Sequence, residues 1–252
     1  LTMRGVAHPE IDRRVDELLK VVGLSAFGDR YPQALSGGMA QRAANARVLP
    51  RLPRVVAQLE DWGCEWVAHG LSANVMMHSH MSIDQQREHI AEALDGFESH
   101  IGHRPVGWLS QDWGTTPDTF ALLAQAGLRY TLDWCNDDQA YLMSPARGAS
   151  AAPLVALPLS AEWDDVQCQW LRQLTPHSHA ELTLRAFDRL QAECVQHRRG
   201  AVFGLALHPW VCGMASRFPA LRQLLHSLRS RTGVQWTDPA VLAAQVQGRA
   251  FS

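Results

Sequence analysis

The first part of the chain carries the apolar spacing of a short amphipathic helix. Apolar residues recur three and four positions apart within residues 12–22, and Gly23 follows where a helix C-cap is expected. Pro50 and Pro53 then interrupt the helical pattern. The pattern therefore predicts a helical segment over residues 1–48 and a separate domain over residues 49–252.

Beyond residue 48, short apolar runs alternate with helical patterns. The predicted strands are 66–68, 106–109, 130–132, 154–157, 202–207 and 234–236. The predicted helices are 83–100, 116–126, 178–196, 218–228 and 239–246. This alternation predicts an α/β fold with parallel strands, in which catalytic residues gather where strands end.

Composition narrows the classes of protein. The 252 residues are 46% hydrophobic and 19% charged, enough for one well-buried domain or two small ones. A net charge of -2 argues against a nucleic-acid partner, and no membrane span or signal peptide is visible, so we expect a cytoplasmic protein. The five cysteines form no Cys-x-x-Cys pair, which indicates reduced thiols. Leu1 in first place indicates a fragment or a partial reading frame.

One octapeptide carries the chemistry of the first segment, Leu35-Ser36-Gly37-Gly38-Met39-Ala40-Gln41-Arg42. Ser36 is placed to cap a helix whose backbone N–H groups, at Gly37 and Gly38, would bind a phosphate. The alternative is an ordinary capped helix.

With residues 16–24 and 29–32 before it, the octapeptide resembles the signature region of ABC importer ATPases. In that family the signature closes over the terminal phosphate of a nucleotide bound by the opposite subunit. The sequence has no Walker A motif, and residues 50–53 stand where the Walker B strand is expected. We therefore expect a vestigial phosphate site and no ATP hydrolysis by this segment alone.

Four ordered motifs resemble a second family. They are Val67-Ala68-His69-Gly70, Arg104-Pro105-Val106-Gly107-Trp108-Leu109-Ser110, residues 130–139, and Leu207-His208-Pro209-Trp210. Over residues 50–247 the chain is similar to the polysaccharide deacetylase (NodB-homology) family, and more closely to its allantoinase-like branch. The resemblance implies an irregular (β/α) barrel, here incomplete, that hydrolyses carbon–nitrogen bonds of N-acetyl sugars or of cyclic amides and ureides.

Two histidines are candidate metal ligands. His69 and His78 flank the loop after the first predicted strand, where neutral imidazoles would hold a divalent metal or position a water. His80 competes for the second place, and a pair of surface histidines is the alternative. The deacetylases use an Asp-His-His metal triad while some allantoinase-like relatives work without one, so a zinc-like metal and no metal both stay open.

His208 is the strongest catalytic candidate, because it ends an apolar strand where its imidazole would protonate a leaving nitrogen. Asp133 is expected to hydrogen-bond His208. The predicted substrate-binding residues are Arg104, Trp108, Trp134, Asp137, Asp138 and Trp210, with a solvated turn as the alternative for the two aspartates. The residues predicted as plain surface features are Asp164, Asp165, His177 and His179.

One departure from the second family bears on activity. Its first motif, an acidic pair that supplies the general base, has no counterpart before Trp66. General base catalysis is worth a factor of about 10²–10⁴, so we expect weak activity or none. Three hypotheses follow: a carbon–nitrogen hydrolase with a small-molecule or carbohydrate substrate, an ABC transporter fragment, or a non-catalytic fusion. Homo-oligomer formation is left open.

Overall fold

The computed structural model describes residues 45–61, 63–143 and 152–250, with side chains up to residue 248. The predicted helix at 12–22 and the predicted phosphate site at Ser36, Gly37 and Gly38 lie outside these residues. The described residues fall into two compact units. The first contains the described residues up to Pro158 and those from Thr237 onward, and the second is Leu159–Trp236.

The first unit is built on a five-stranded sheet with the order β1-β2-β3-β5-β4. The strands are β1 Val67–Ala68, β2 Gly107–Trp108, β3 Tyr130–Thr131, β4 Tyr141–Met143 and β5 Leu154–Ala156. The first three strands and β5 pair in parallel, and β4 pairs with β5 in the antiparallel direction. The predicted α/β class is thus confirmed, with β4 as a strand that the pattern had not indicated.

The described part of this unit has four α-helices: α1 Pro53–Asp61, α2 Ile83–Ile101, α3 Thr119–Gln125 and, later in the chain, α7 Pro239–Ala250. Helix α2 begins at a capping box, because the Ser82 hydroxyl accepts from the Gln85 amide and the Gln85 side chain accepts from the Ser82 amide. It ends at Gly102, whose φ of 79° suits glycine. The predicted apolar face of this helix is buried, at Ile90, Ala93, Leu94 and Phe97.

The core of the first unit begins before the predicted domain boundary. Ala46 and Leu49 are buried in the same apolar cluster as Phe97 and Trp108. Helix α7 closes the other side through a second cluster, and its Ala240 amide donates to the Glu65 carboxylate, which also accepts from the Tyr130 hydroxyl at 2.6 Å. The end of the chain is thereby attached to the middle of the sheet.

The second unit is helical in its described residues. It contains a 3-10 turn Ala161–Trp163, a π-helical turn Val166–Leu171, α4 Pro176–His197, α5 Pro209–Cys212 and α6 Phe218–Arg229. Its core includes Ala180, Leu224 and Leu228. No helix in the described part of the chain combines the length and the apolar character that a membrane span needs.

The predicted strands 202–207 and 234–236 are wrong, since no strand forms in the described residues of the second unit. The side chain of Trp163 lies against residues 203 and 204, where a neighbouring strand would have to pair. The indole of Trp163 stacks on Phe203 with ring centroids 4.7 Å apart, and its Nε1 donates to the Gly204 carbonyl at 2.8 Å. Apolar runs of this length indicate burial more reliably than they indicate a strand.

Gly107→Ala is expected to destabilise the first unit. An alanine Cβ in β2 would lie 2.0 Å from Cζ of the buried Tyr130 ring, so ring and strand would have to separate. We expect the free energy of unfolding to fall by about 2–3 kcal/mol, as in overpacked cores, measured by urea unfolding. Gly248→Ala, whose Cβ would meet nothing within 4 Å, is the matched control. Equal stability of the two variants would contradict the packing described.

Candidate functional site

Polar side chains and a backbone carbonyl follow three of the parallel strands at their carboxyl ends. His69 follows β1, Leu109 and Ser110 follow β2, and Asp133 lies just beyond β3. The His69 Nδ1 lies 2.7 Å from the Leu109 carbonyl oxygen, and a hydrogen bond there requires the proton on Nδ1. Because these strands are parallel neighbours, their ends share one edge of the sheet, as the sequence pattern predicted.

Asp133 is buried, and three donors surround its carboxylate. The Ser110 amide donates to Oδ1 at 2.5 Å, while the Ser110 and Thr131 hydroxyls each donate to Oδ2 at 3.0 Å. Burial raises the pKa of Asp133 to about 6, and these hydrogen bonds oppose the rise. Asp133 thus fixes Ser110 against the end of β3.

A strained turn follows Ser110. The 3-10 turn Gln111–Trp113 holds Asp112 at φ 48° and Trp113 at φ 53°, a region that non-glycine residues seldom adopt. Gly114 ends the turn against the Met77 carbonyl, where a Cβ would come within 2.7 Å of the oxygen. The loop that contains His78 and the turn after β2 therefore pack closely.

His208 lies in the second unit and is held by Asp165. The Asp165 carboxylate accepts from the His208 backbone amide at 2.8 Å and contacts its Nδ1 at 2.6 Å. Asp165 is fully buried, while the His208 side chain keeps 22% of its surface exposed. A carboxylate in contact with Nδ1 fixes the orientation of the ring.

We expected a hydrogen bond between Asp133 and His208, and the residue on the Nδ1 of that ring is Asp165, which the sequence had not indicated. The two bonded residues are 43 positions apart in sequence. Asp133 lies in the first unit, where its hydrogen-bond donors are Ser110 and Thr131.

Asp164 adds a second buried carboxylate beside His208. Its Oδ1 accepts from the Gln167 amide at 2.9 Å, and its Oδ2 lies 3.8 Å from His208 Nδ1. Burial raises the pKa of Asp164, against the opposing effects of the Gln167 hydrogen bond and of His208. The prediction that Asp164 and Asp165 are surface features is therefore wrong.

His179 is also buried, contrary to its prediction as a surface feature. Its Nδ1 accepts from the Gln169 side chain and its Nε2 donates to the Trp163 carbonyl, each at 2.9 Å. His179 therefore joins α4 to the turns that carry Asp164 and Asp165. His177 is exposed as predicted, 3.4 Å from Glu181.

Aromatic rings flank His208. The Trp210 ring lies 6.2 Å from the imidazole and 5.4 Å from the ring of Trp170, which was not among the predicted site residues. Trp170 is 55% exposed and stands on the same π-helical turn that Asp165 precedes. Single π-helical turns occur often at functional sites. This turn is the local feature of the structure that marks the segment as a candidate site.

Two predicted substrate-binding residues lie elsewhere. Arg104 is exposed before β2 begins and pairs with Asp95 and Glu98 on α2, so its charge is already balanced. Trp108 has no exposed surface, and its Nε1 donates to the Ser110 hydroxyl at 2.9 Å. Arg104 is thus a surface ion-pairing residue, and Trp108 is part of the core beneath the site.

The remaining predicted residues follow β3. Trp134 is 46% exposed and packs edge-on against Phe120. Asp137 accepts from the Gln139 amide at 3.1 Å, and Asp138 accepts from the Gln139 side chain at 3.0 Å. These contacts form a turn. A solvated turn was one of the two alternatives for Asp137 and Asp138, and substrate binding was the other.

The described surroundings of His69 and His78 do not complete a metal site. His78 is exposed, and its Nδ1 accepts from the His80 amide at 3.3 Å, so the neutral ring carries its proton on Nε2. Within the described ranges, one group of three side chains has its metal-ligating atoms close enough together to share an ion. It consists of Asp164, Asp165 and His208. His69 fits the pattern of a ligand whose second nitrogen bonds a carbonyl, but we derive no step through a metal.

Ionisation of Asp133 is expected to lower stability as the pH rises. Its pKa of about 6 exceeds the ordinary value of 3.8, so the folded state holds the proton more tightly than the unfolded chain. This contribution is complete below about pH 4 and is lost as the pH rises through about 6. The difference corresponds to about 2–3 kcal/mol.

Asp133→Asn tests this. Relative to the unaltered chain, the variant should gain that free energy of unfolding between pH 4 and pH 7 in urea titrations. Asp84→Asn, on the surface of α2, is the control. A difference that stays constant with pH would contradict the raised pKa.

Comparison with known proteins adds two separate likenesses. No family model matches the chain. The EcfA1 energy-coupling factor transporter ATP-binding protein of Lacticaseibacillus paracasei is 48% identical over 56 residues, which are 22% of this chain and 20% of that protein. The sulfate/thiosulfate import ATP-binding protein CysA of Thermosynechococcus vestitus is 48% identical over 63 residues, 25% and 19% of the two chains. The chain thus spans about a fifth of these relatives, and the predicted ABC resemblance of the N-terminal segment is confirmed.

Solved structures share the fold of most of the chain. PuuE allantoinase superimposes with a TM-score of 0.72 at 25% identity, over 81% of this chain and 66% of that one. A polysaccharide deacetylase from Mycobacterium smegmatis gives 0.70 at 21% identity, over 93% and 87%. One from Pseudomonas aeruginosa gives 0.70 at 23% identity, over 96% and 78%. The chain therefore joins a segment similar in sequence to ABC transporter ATP-binding proteins to the fold of polysaccharide deacetylases and PuuE allantoinase.

Proposed function

We propose that this chain hydrolyses carbon–nitrogen bonds other than peptide bonds, in a small-molecule or carbohydrate substrate. The observation that carries the proposal is the pair of Asp165 and His208. A partly exposed imidazole on a fully buried carboxylate is the arrangement that a general acid needs. The likeness in fold to deacetylases and to an allantoinase supports the same class of reaction.

His208 acts as the general acid. Asp165 holds the Nδ1 proton and stabilises the positive charge of the ring, so Nε2 is the nitrogen that gives its proton to the leaving amine. As the carbon–nitrogen bond breaks, the electron pair stays on the nitrogen and takes up this proton, while water supplies the oxygen of the new carboxyl group. Asp165 is a positioning residue in this scheme.

The ends of β1 to β3 hold a second set of polar groups, within the first unit. Asp133 orients Ser110, and the Leu109 carbonyl orients His69, so both groups are held by neighbouring strands. The acidic motif of the family has no counterpart just before Trp66, so the general base is unassigned and we expect slow turnover.

His208→Gln and Asp165→Asn test the assignment. With a purified chain and a panel of cyclic ureides and N-acetylated sugars, we expect His208→Gln to lower kcat by about 10²-fold or more, with little change in KM. Asp165→Asn should lower kcat by about 10²-fold and alter the pH profile, because the imidazole loses the carboxylate that stabilises its charged form.

His177→Gln, an exposed histidine on α4, is the matched control and should keep full activity. Loss of activity in the control alone, or unchanged kcat in His208→Gln, would contradict the assignment. Absence of turnover for every substrate in the panel would sink the proposed function itself.

A further inference from the structure

We propose that Trp170 is a ligand-binding residue of the second unit, and that the face of its indole stacks on a ring of the substrate beside His208. This inference rests on the proposed function and deepens it, because it names a group that holds the substrate while His208 acts. Trp170 was not singled out by the sequence motifs, and the residues that carry the inference all belong to Leu159–Trp236.

The first observation is a large aromatic side chain that is exposed to solvent. Trp170 is 55% exposed and its neighbour Leu171 is 60% exposed, both at the end of the π-helical turn. Trp163 shows how the same unit holds a structural tryptophan, since its ring stacks on Phe203 and its Nε1 donates to the Gly204 carbonyl. More than half of the Trp170 surface is open to a ligand.

The contact between Trp170 and Trp210 leaves a face of the Trp170 indole uncovered. The two rings are T-shaped, with an interplanar angle of 75° and centroids 5.4 Å apart. In a T-shaped pair one ring presents its edge to the face of the other. Trp210 therefore covers at most one of the two faces of Trp170, and a flat apolar face is left for a ligand that arrives from solvent.

The second observation is the connection of Trp170 to His208. The Trp210 ring contacts both residues, because it also lies 6.2 Å from the His208 imidazole. The turn that carries Trp170 begins just after Asp165, whose carboxylate accepts from the His208 amide and contacts its Nδ1. The exposed indole and the proposed general acid are thus joined through a shared aromatic neighbour and a shared carboxylate.

The third observation is that the turn is fixed from within. The three residues before Trp170 are each hydrogen-bonded inside the unit, at Gln167, Cys168 and Gln169. The Cys168 thiol, for example, is fully buried and donates to the Glu162 carbonyl at 3.1 Å. A binding side chain on a fixed backbone loses little conformational freedom when the ligand arrives. Trp170 therefore has the support that a binding residue needs.

The chemistry of an indole face determines which part of a ligand it binds. The face is flat and carries partial negative charge, so it stacks on planar rings and attracts the C–H groups on one side of a saturated ring. An acyclic amide has the same carbon–nitrogen bond but no such surface. We therefore expect Trp170 to bind ligands through a ring, planar or saturated, and to contribute nothing to the binding of acyclic amides.

Trp170→Phe and Trp170→Leu test the inference, because phenylalanine keeps a flat aromatic face and leucine keeps apolar bulk without one. Hydantoin, a planar ring, and N-acetylglucosamine, a saturated ring, are titrated into the full chain by calorimetry, and the probe that binds identifies the kind of ring. We expect its affinity to fall about tenfold in Trp170→Leu, which corresponds to about 1.4 kcal/mol, and by no more than about threefold in Trp170→Phe.

Trp236→Leu is the matched control, because Trp236 belongs to the same unit and is 45% exposed. It should keep the affinity of the unaltered chain. Equal losses in Trp170→Leu and Trp170→Phe, or a loss in Trp236→Leu as large as that in Trp170→Leu, would overturn the inference. So would the failure of both probes to bind the unaltered chain.

The indole ¹⁵N–¹H signal of Trp170, assigned with Trp170→Phe, gives a readout that does not depend on turnover. We expect the bound ring probe to shift this signal, because a stacked ring changes the surroundings of the indole. N-methylacetamide, an acyclic amide, should leave the signal in place at the same concentration. A shift of equal size with N-methylacetamide would overturn the preference for rings.

Failure of the proposed function has a different pattern. If no substrate is turned over, yet a ring probe binds and Trp170→Leu weakens its binding, the stacking role stands and the hydrolase assignment falls. If turnover depends on His208 while ring-probe affinity is the same in Trp170→Leu as in the unaltered chain, the hydrolase assignment stands and the stacking role falls.

Discussion

Buried carboxylates impose the strongest constraint on this protein. Burying a carboxylate costs several kcal/mol of folding free energy unless hydrogen-bond donors surround it. Each buried carboxylate therefore requires donors next to it. Asp133 requires the amide and hydroxyl of Ser110, and Asp165 requires the amide and ring of His208. In both units, a segment that carries candidate chemistry is held in place because a buried acid needs its donors.

This constraint explains why the two aspartates have different roles. Asp133 is bonded by neutral donors from two adjacent strand ends, and its pKa rises because burial outweighs those bonds. Asp165 is bonded by the backbone amide and the imidazole of a single residue, His208. The first acid positions backbone and hydroxyl groups, and the second fixes the orientation of a histidine ring.

The local pattern of the sequence was enough to predict four of the five strands, the long helices, and the position of His69 and Asp133 at strand ends. It could not pair Asp165 with His208, because those residues are 43 positions apart and the segment of Asp165 has no periodic pattern. Arg104 was misplaced in the pocket although Asp95 and Glu98 stand just before it on α2. Trp108 was misplaced because a parallel strand is buried on both faces, which makes its aromatic side chain part of the core.

The most direct test of the central claim is the protonation of His208 nitrogens, read from ¹⁵N shifts of histidine-labelled protein with His208→Gln used for assignment. The account predicts that the neutral ring carries its proton on Nδ1, and that Asp165→Asn removes this preference. A neutral ring that carries its proton on Nε2, or a preference unchanged in Asp165→Asn, would contradict the claim that Asp165 orients a catalytic acid.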